Sequence, residues 1–259
     1  MKQLLCTLAL FSTLPAQADL TLHGHSMVWA MAMEGTGKET LQITKTRMRR
    51  DLIDRGRAYT QIIDLDRHEV TLIDHAMRSA EVRAIASLSR QAERQLPGSV
   101  NVTDKNLRFE LKATGAKRRL QDWTCGENRL LVSTPAEVGG EKVEFELSGT
   151  AWIARHVPEQ AEIEEYAKAL QSPGLSPDIP ALGRSPEQTR ALTEALRRIA
   201  PKGLLCGLEV DLRYVGQGRV AELSKKLSSR IALEVESYDR KPIPATTFDI
   251  PKGYLTTRR

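Results

Sequence analysis

The fold is decided by Tyr59-Thr60-Gln61-Ile62-Ile63-Asp64-Leu65-Asp66-Arg67-His68-Glu69-Val70-Thr71-Leu72-Ile73-Asp74. Tyr59, Gln61, Ile63 and Leu65 share one parity, and Val70 and Leu72 follow on the far side of a polar turn. Alternation with a period of two is the mark of a strand with one buried face. A connection as short as Asp64 to His68 pairs two such strands antiparallel.

The pattern extends backwards from there. Leu41 and Ile43 alternate, as do Met27, Trp29, Met31 and Met33, and further turn signals stand at Glu34-Gly35-Thr36-Gly37-Lys38 and Asp54-Arg55-Gly56. A meander of five or six strands is expected from Leu20 to about Ile85.

Forwards, residues 86–96 have the composition of a helix, closed by Pro97-Gly98. Strands resume around Leu107, Phe109 and Leu111, then from Asn128 to Thr134, then at Val143, Phe145 and Leu147. Pro158-Glu159 opens a second helix to about Leu170. A proline- and glycine-rich loop at 172–186 leads to a third, capped at Ser185-Pro186-Glu187-Gln188 and running to about Ala200. The remainder reads as strand at Leu208 to Tyr214, at Arg219 to Leu227 and at Ile231 to Val235. Gly216-Gln217-Gly218 is the hairpin between the first two of these. The Lys241-Pro242-Ile243-Pro244 tail is too rich in proline for a central strand. Antiparallel strands interrupted by three helices make the class α+β.

At the N-terminus, Met1-Lys2 precedes an apolar stretch from Leu4 to Leu14 and then Pro15-Ala16-Gln17-Ala18. That order of charge, apolar segment and small residues predicts a cleaved secretory signal over residues 1–18, with one domain over 19–259 acting in the periplasm or outside the cell. The apolar stretch is about 11 residues, short of the roughly 20 a spanning helix needs, and no later segment is long and apolar enough. Of three cysteines, Cys6 falls within the signal. Cys125 and Cys206 remain, and an exported chain allows them to bridge. Such a bridge is worth about 4 kcal/mol in the chain-entropy model.

The formal net charge is +5, hydrophobic residues make up 41% and aromatic residues 5%, so a core must be built from aliphatic side chains. Basic runs occur at Lys45 to Arg50, Lys117 to Arg119, Arg197-Arg198, Lys225-Lys226 and Arg258-Arg259, interspersed with nearly as many acids. They read as solvated strand and helix faces, with an anionic envelope polymer or an envelope protein as the alternative partner. Nucleic acid is not expected, for want of a binding module.

The chain has no Gly-x-Ser-x-Gly elbow, no Gly-x-x-x-x-Gly-Lys-Ser/Thr loop and no Gly-x-Gly-x-x-Gly, so an enzyme is disfavoured and no cofactor is implied. His23 and His25 share a strand face and supply two ligands of a metal-dependent site, the weakest alternative. His68 and His75, with Asp64, Asp66 and Asp74 close by, offer acid–base chemistry in principle, but their spacing around turns reads more simply as exposed polar positions.

Several stretches together resemble a family of secreted bacterial domains of unknown function within the LolA/LolB-like lipoprotein-carrier superfamily. They are Ile43 to Asp51, Ile62-Ile63-Asp64, Val70 to His75, Asp122-Trp123-Thr124-Cys125, Thr150 to Ala154 running into Val157-Pro158, Lys202-Gly203-Leu204-Leu205, and Phe248 to Tyr254. The resemblance implies a curved antiparallel half-barrel with about three helices across its open side, around an apolar cavity that holds acyl chains in the carriers. The reading that follows is a non-enzymatic protein that binds a lipid or lipoprotein acyl chain. The contacts expected are Met27, Trp29, Met31, Phe145 and Trp152. The alternative is an envelope interaction module whose core is filled by its own side chains.

Overall fold

The computed structural model describes residues 19–30, 33–54, 56–87, 106–170, 186–227 and 229–259. Six strands follow one another from the start: β1 (Leu20–Ala30), β2 (Met33–Ile43), β3 (Arg47–Asp54), β4 (Arg57–Asp64), β5 (Glu69–Asp74) and β6 (Ser79–Ala84). Next come β7 (Arg108–Leu120), β8 (Trp123–Val138), β9 (Glu141–Ala154), helix α1 (Gln160–Leu170) and helix α2 (Pro186–Ile199). The chain ends with β10 (Leu204–Val215), helix α3 (Arg219–Lys226), β11 (Ser229–Asp239) and β12 (Leu255–Arg258).

All twelve strands belong to one sheet, in the order β12-β6-β5-β4-β3-β2-β1-β11-β10-β9-β8-β7. Short turns join β1 to β6 and β7 to β9 as meanders, while α1 and α2 connect β9 to β10 and α3 connects β10 to β11; the two halves join where β1 pairs antiparallel with β11. Among the described residues only β12 runs parallel to its neighbour, β6. The expected half-barrel with three helices across it is therefore overturned. The sheet is a single mixed one whose edge strands, β12 and β7, do not pair, so it is not closed.

The helices also depart from expectation. The segment from Arg219 to Leu227, read as a strand, is α3. Val220, Ala221 and Ser224 recur at helical spacing. The Ser224 hydroxyl accepts from the Tyr214 N–H at 2.7 Å, and the Glu141 carboxylate accepts from the Val220 N–H at 3.0 Å. Gly216-Gln217-Gly218 thus leads from β10 into a helix instead of closing a hairpin. The turn expected at Glu34 to Lys38 lies inside β2. The helix expected at 86–96 lies outside the described residues beyond 87, as does the loop expected at 172–186 up to 185.

One face of the sheet, called inner here, carries α1 and α2. In α2, Ala191, Leu192, Ala195 and Ile199 are buried together with Leu130, Val132, Leu147 and Ala151 of β8 and β9. Such a stripe is what an amphipathic helix presents to a sheet. In α1, Ile163 joins Leu20, Leu22, Ile43 and Met48 of β1–β3. The Gln160 amide donates to the Ala200 carbonyl at 2.9 Å, which ties the start of α1 to the end of α2.

Cys125 of β8 and Cys206 of β10 form a disulfide with their Cα atoms 6.4 Å apart. Because β9 lies between those strands, a flat sheet would hold them about twice the roughly 4.8 Å strand spacing apart. The sheet therefore folds sharply about β9, helped by the bulge between Leu205 and Gly207. Residues at the end of β7 consequently lie over β10 and β11, where the Arg118 guanidinium donates to the Cys206 carbonyl at 3.0 Å.

The outer face of β3–β6 is covered by the C-terminal segment. Phe248 packs with Ile62, Ile73 and Ala80, flanked by Ile243, Ile250 and Tyr254. This is why β4 buries Ile62 as well as Ile63, and why Ile73 is buried while Leu72 is 37% exposed.

Candidate ligand-binding cavity

Between the inner face and the two helices lies a partly open cavity of about 200 Å³. Its walls are Leu22 of β1, Leu41 and Ile43 of β2, Leu233 and Val235 of β11, Ile163 and Tyr166 of α1, and Leu196 and Ile199 of α2. Small residues on both sides keep it from filling: Gly24 and Gly203 on the sheet side, Ala167 and Ala200 on the helix side. Gly24 is required by close approach. At the bulge where β11 gains a residue against β1, a Cβ on Gly24 would stand 2.2 Å from the Glu234 carbonyl oxygen.

One end of the cavity is polar. Glu39 of β2 and Arg50 of β3 are diagonal neighbours on the inner face. The Arg50 guanidinium donates twice to the Glu39 carboxylate, Nε to Oε1 at 2.6 Å and Nη2 to Oε2 at 3.1 Å. Both side chains are largely withdrawn from solvent. Tyr166 stands near this pair, and its hydroxyl is pushed up to about 12, chiefly by burial; Arg50 opposes the rise and Glu39 adds to it. At neutral pH the hydroxyl is therefore an uncharged donor and acceptor. Two further polar residues of the lining are paired: Glu234 accepts from Arg118 at 3.1 Å, and His25 Nδ1 is hydrogen-bonded to Glu236 at 2.9 Å.

Four of the five residues expected to touch a ligand are elsewhere. Met27 and Trp29 have the parity opposite to Leu20, Leu22 and Val28 on β1, and so lie on the face away from the helices. Phe145 is fully buried in the core beneath α2. Trp152 packs in the fold about β9, with the Arg118 guanidinium 4.8 Å above its ring. None of these four is among the lining residues. The fifth, Met31, is outside the described residues.

The residues that do line the polar end left faint signals. Glu39 begins the inward parity of β2 that Leu41 and Ile43 continue, but treating residues 34–38 as a turn hides it. Arg50 is submerged in a basic run. Tyr166 follows Ile163 by one helical step, which marks the buried face of α1.

His23 and His25 lie on one strand face as expected but go to different partners, Thr40 at 3.3 Å and Glu236. Among the described residues no group of three or more histidine, cysteine or acidic side chains converges on a point. Asp64 and Asp74 shape their turns by accepting the N–H of Arg67 and of Met77. His75 bridges the Thr60 hydroxyl at 2.8 Å and the Tyr254 hydroxyl at 3.0 Å.

The basic runs are answered by acids of the same fold. Arg49 pairs with Asp51, Arg197 and Arg198 with Glu194, Lys225 with Glu222, Arg258 with Glu69 and Arg259 with Glu81. Among the described residues no helix is long and apolar enough to cross a membrane.

No family model matches the chain, and no curated protein does. Solved structures do match over nearly its whole length. An uncharacterized conserved protein from Thermus thermophilus is 10% identical, with a TM-score of 0.37 over 94% of this chain and 92% of that one. The structure of PNGF-II is 10% identical, with a TM-score of 0.35 over 93% of this chain and 31% of that one. Likenesses this distant carry nothing about function to this chain.

Proposed function

We propose that this protein binds an apolar or amphiphilic ligand between its inner sheet face and helices α1 and α2, without catalysing a reaction, outside the cytoplasm. The observation that carries the reading is the unfilled cavity itself: aliphatic walls from β1, β2, β10, β11, α1 and α2, with the Glu39–Arg50 pair and Tyr166 among them. A cavity of about 150 Å³ lined by aliphatic and aromatic side chains is enough to hold benzene. The 200 Å³ here suits a short apolar segment, and the open mouth lets a longer chain continue outward. The ligand class suggested by the resemblance to the lipoprotein carriers, an acyl chain of a lipid or lipoprotein, belongs to the same proposal. Export is supported by the signal pattern at residues 1–18 and by the Cys125–Cys206 bridge, which persists in oxidising compartments.

Uptake of the neutral fluorophore 1-aminoanthracene tests this reading. Saturable binding is expected, lost on Ala167→Trp, together with an amphiphile retained in native mass spectra of protein isolated from its own envelope. A protein that takes up no fluorophore and carries no co-purified amphiphile would overturn it.

A further inference from the structure

We infer that the cavity selects amphiphiles with an uncharged, hydrogen-bonding head, such as a glycerol ester or an alcohol, over those with a carboxylate. This rests on the ligand-binding reading above and names the class of ligand.

The charge balance of the lining residues leads to it. Arg50 is the cation among them, and both edges of its guanidinium that face Glu39 are engaged by that carboxylate at 2.6 and 3.1 Å. The pair presents no net charge to the cavity. The other acid of the lining, Glu234, is matched by Arg118 at 3.1 Å, and Glu236 is hydrogen-bonded to His25 Nδ1 at 2.9 Å. A carboxylate head entering this space would leave water and meet an arginine already neutralised, beside the negative Glu39; an ion buried without its own counter-ion is strongly disfavoured. A hydroxyl or ester head loses far less on leaving water. Tyr166 offers it both a donor and an acceptor, since burial keeps the phenol protonated. Selectivity here is a penalty against the wrong head as much as an attraction for the right one.

Glu39 is then the specificity-determining residue, and the change that reverses the preference is Glu39→Gln. That substitution keeps the shape and removes the carboxylate that balances Arg50, creating a carboxylate site where none existed.

The test is displacement of 1-aminoanthracene from the full, disulfide-bonded chain at pH 8 by monodecanoylglycerol and by decanoate, each below its micelle concentration. In the unaltered protein monodecanoylglycerol is expected to displace at a concentration at least tenfold lower. In Glu39→Gln the gap closes or inverts, with decanoate gaining at least tenfold, and in Glu39→Gln/Arg50→Gln the original order returns. Thermal melting by circular dichroism checks that each variant folds. Should Glu39→Gln fail to fold, the unaltered protein and the double variant still decide the matter. Decanoate binding as tightly as the ester in the unaltered protein, or a preference that Glu39→Gln leaves untouched, overturns the inference while the binding function stands. No uptake of the fluorophore at all is instead the failure of the function proposed above.

Discussion

Arg49 and Arg50 are neighbours in sequence and point to opposite faces of β3, and the protein finishes those faces differently. Arg49 donates to Asp51 at 2.8 Å and to the Thr247 carbonyl at 2.7 Å, beneath a C-terminal segment that lays Phe248 on Ile62, Ile73 and Ala80. Thr60, 2% exposed, extends that network from Asp51 to His75 and on to Tyr254. Arg50 donates to Glu39 under two helices that leave about 200 Å³ unfilled. Around Phe248 the outer face is covered by the protein's own chain, and Arg49, Asp51, Thr60 and His75 beneath it share one hydrogen-bonded network. The inner face keeps the Arg50–Glu39 pair beside a space. Close packing is the rule in protein interiors, and the space kept open by Gly24, Ala167 and Ala200 is the departure from it on which the proposed ligand site rests.

The comparison breaks if the two faces respond alike to mutation. The largest effect is expected at the root of the C-terminal segment, where Arg240 donates to Glu159 at 2.6 Å and Glu159 is only 1% exposed. Arg240→Met strands that carboxylate and should lower stability by about 4 kcal/mol in urea unfolding. A loss below about 1 kcal/mol would show that the segment is not anchored there. Phe248→Ala should follow at about 3 kcal/mol, with uptake of 1-aminoanthracene unchanged. If uptake falls as well, the faces are coupled and the contrast is weaker than drawn. On the inner face the order of effects reverses. Ala167→Trp should change stability by less than about 1.5 kcal/mol, because it grows into space, yet abolish uptake.

The smallest effect sharpens the polar end. Below pH 10 Tyr166 carries its proton in both folded and unfolded chains and adds no pH dependence. From there to about 12 the unfolded chain ionises while the folded one does not, so stability falls as pH rises through that window. Absorbance at tyrosinate wavelengths should show one late-titrating component, missing in Tyr166→Phe. A titration identical in the two proteins would place the hydroxyl in water.

Strands were legible wherever one face is buried and the other wet. Val143, Phe145 and Leu147 alternate with Glu144 and Glu146, and β9 is as expected. Where both faces are buried the alternation misleads. In β4 and β5 the reading favours Leu72, but the C-terminal segment buries Ile73 instead. The cavity was least legible. The stripe of Met27 and Trp29 has the chemistry of a lipid-binding wall, but parity alone does not tell which side the helices will choose. Nor does spacing separate a helix from a short strand at Arg219 to Leu227, where contact with β10 settles it.

The amino-acid sequence by itself determined the local periods: where strands alternate, where Pro186 begins a helix and which two cysteines remain to pair beyond residue 18. Those follow from the geometry of the backbone over a few residues. Only the tertiary structure decided that twelve strands form one open sheet, that it folds about β9 to bring Cys125 to Cys206, and that Arg50, Glu39 and Tyr166 meet across three elements. Each of these joins residues far apart in the chain, and their meeting depends on which faces are covered, a choice no local pattern encodes.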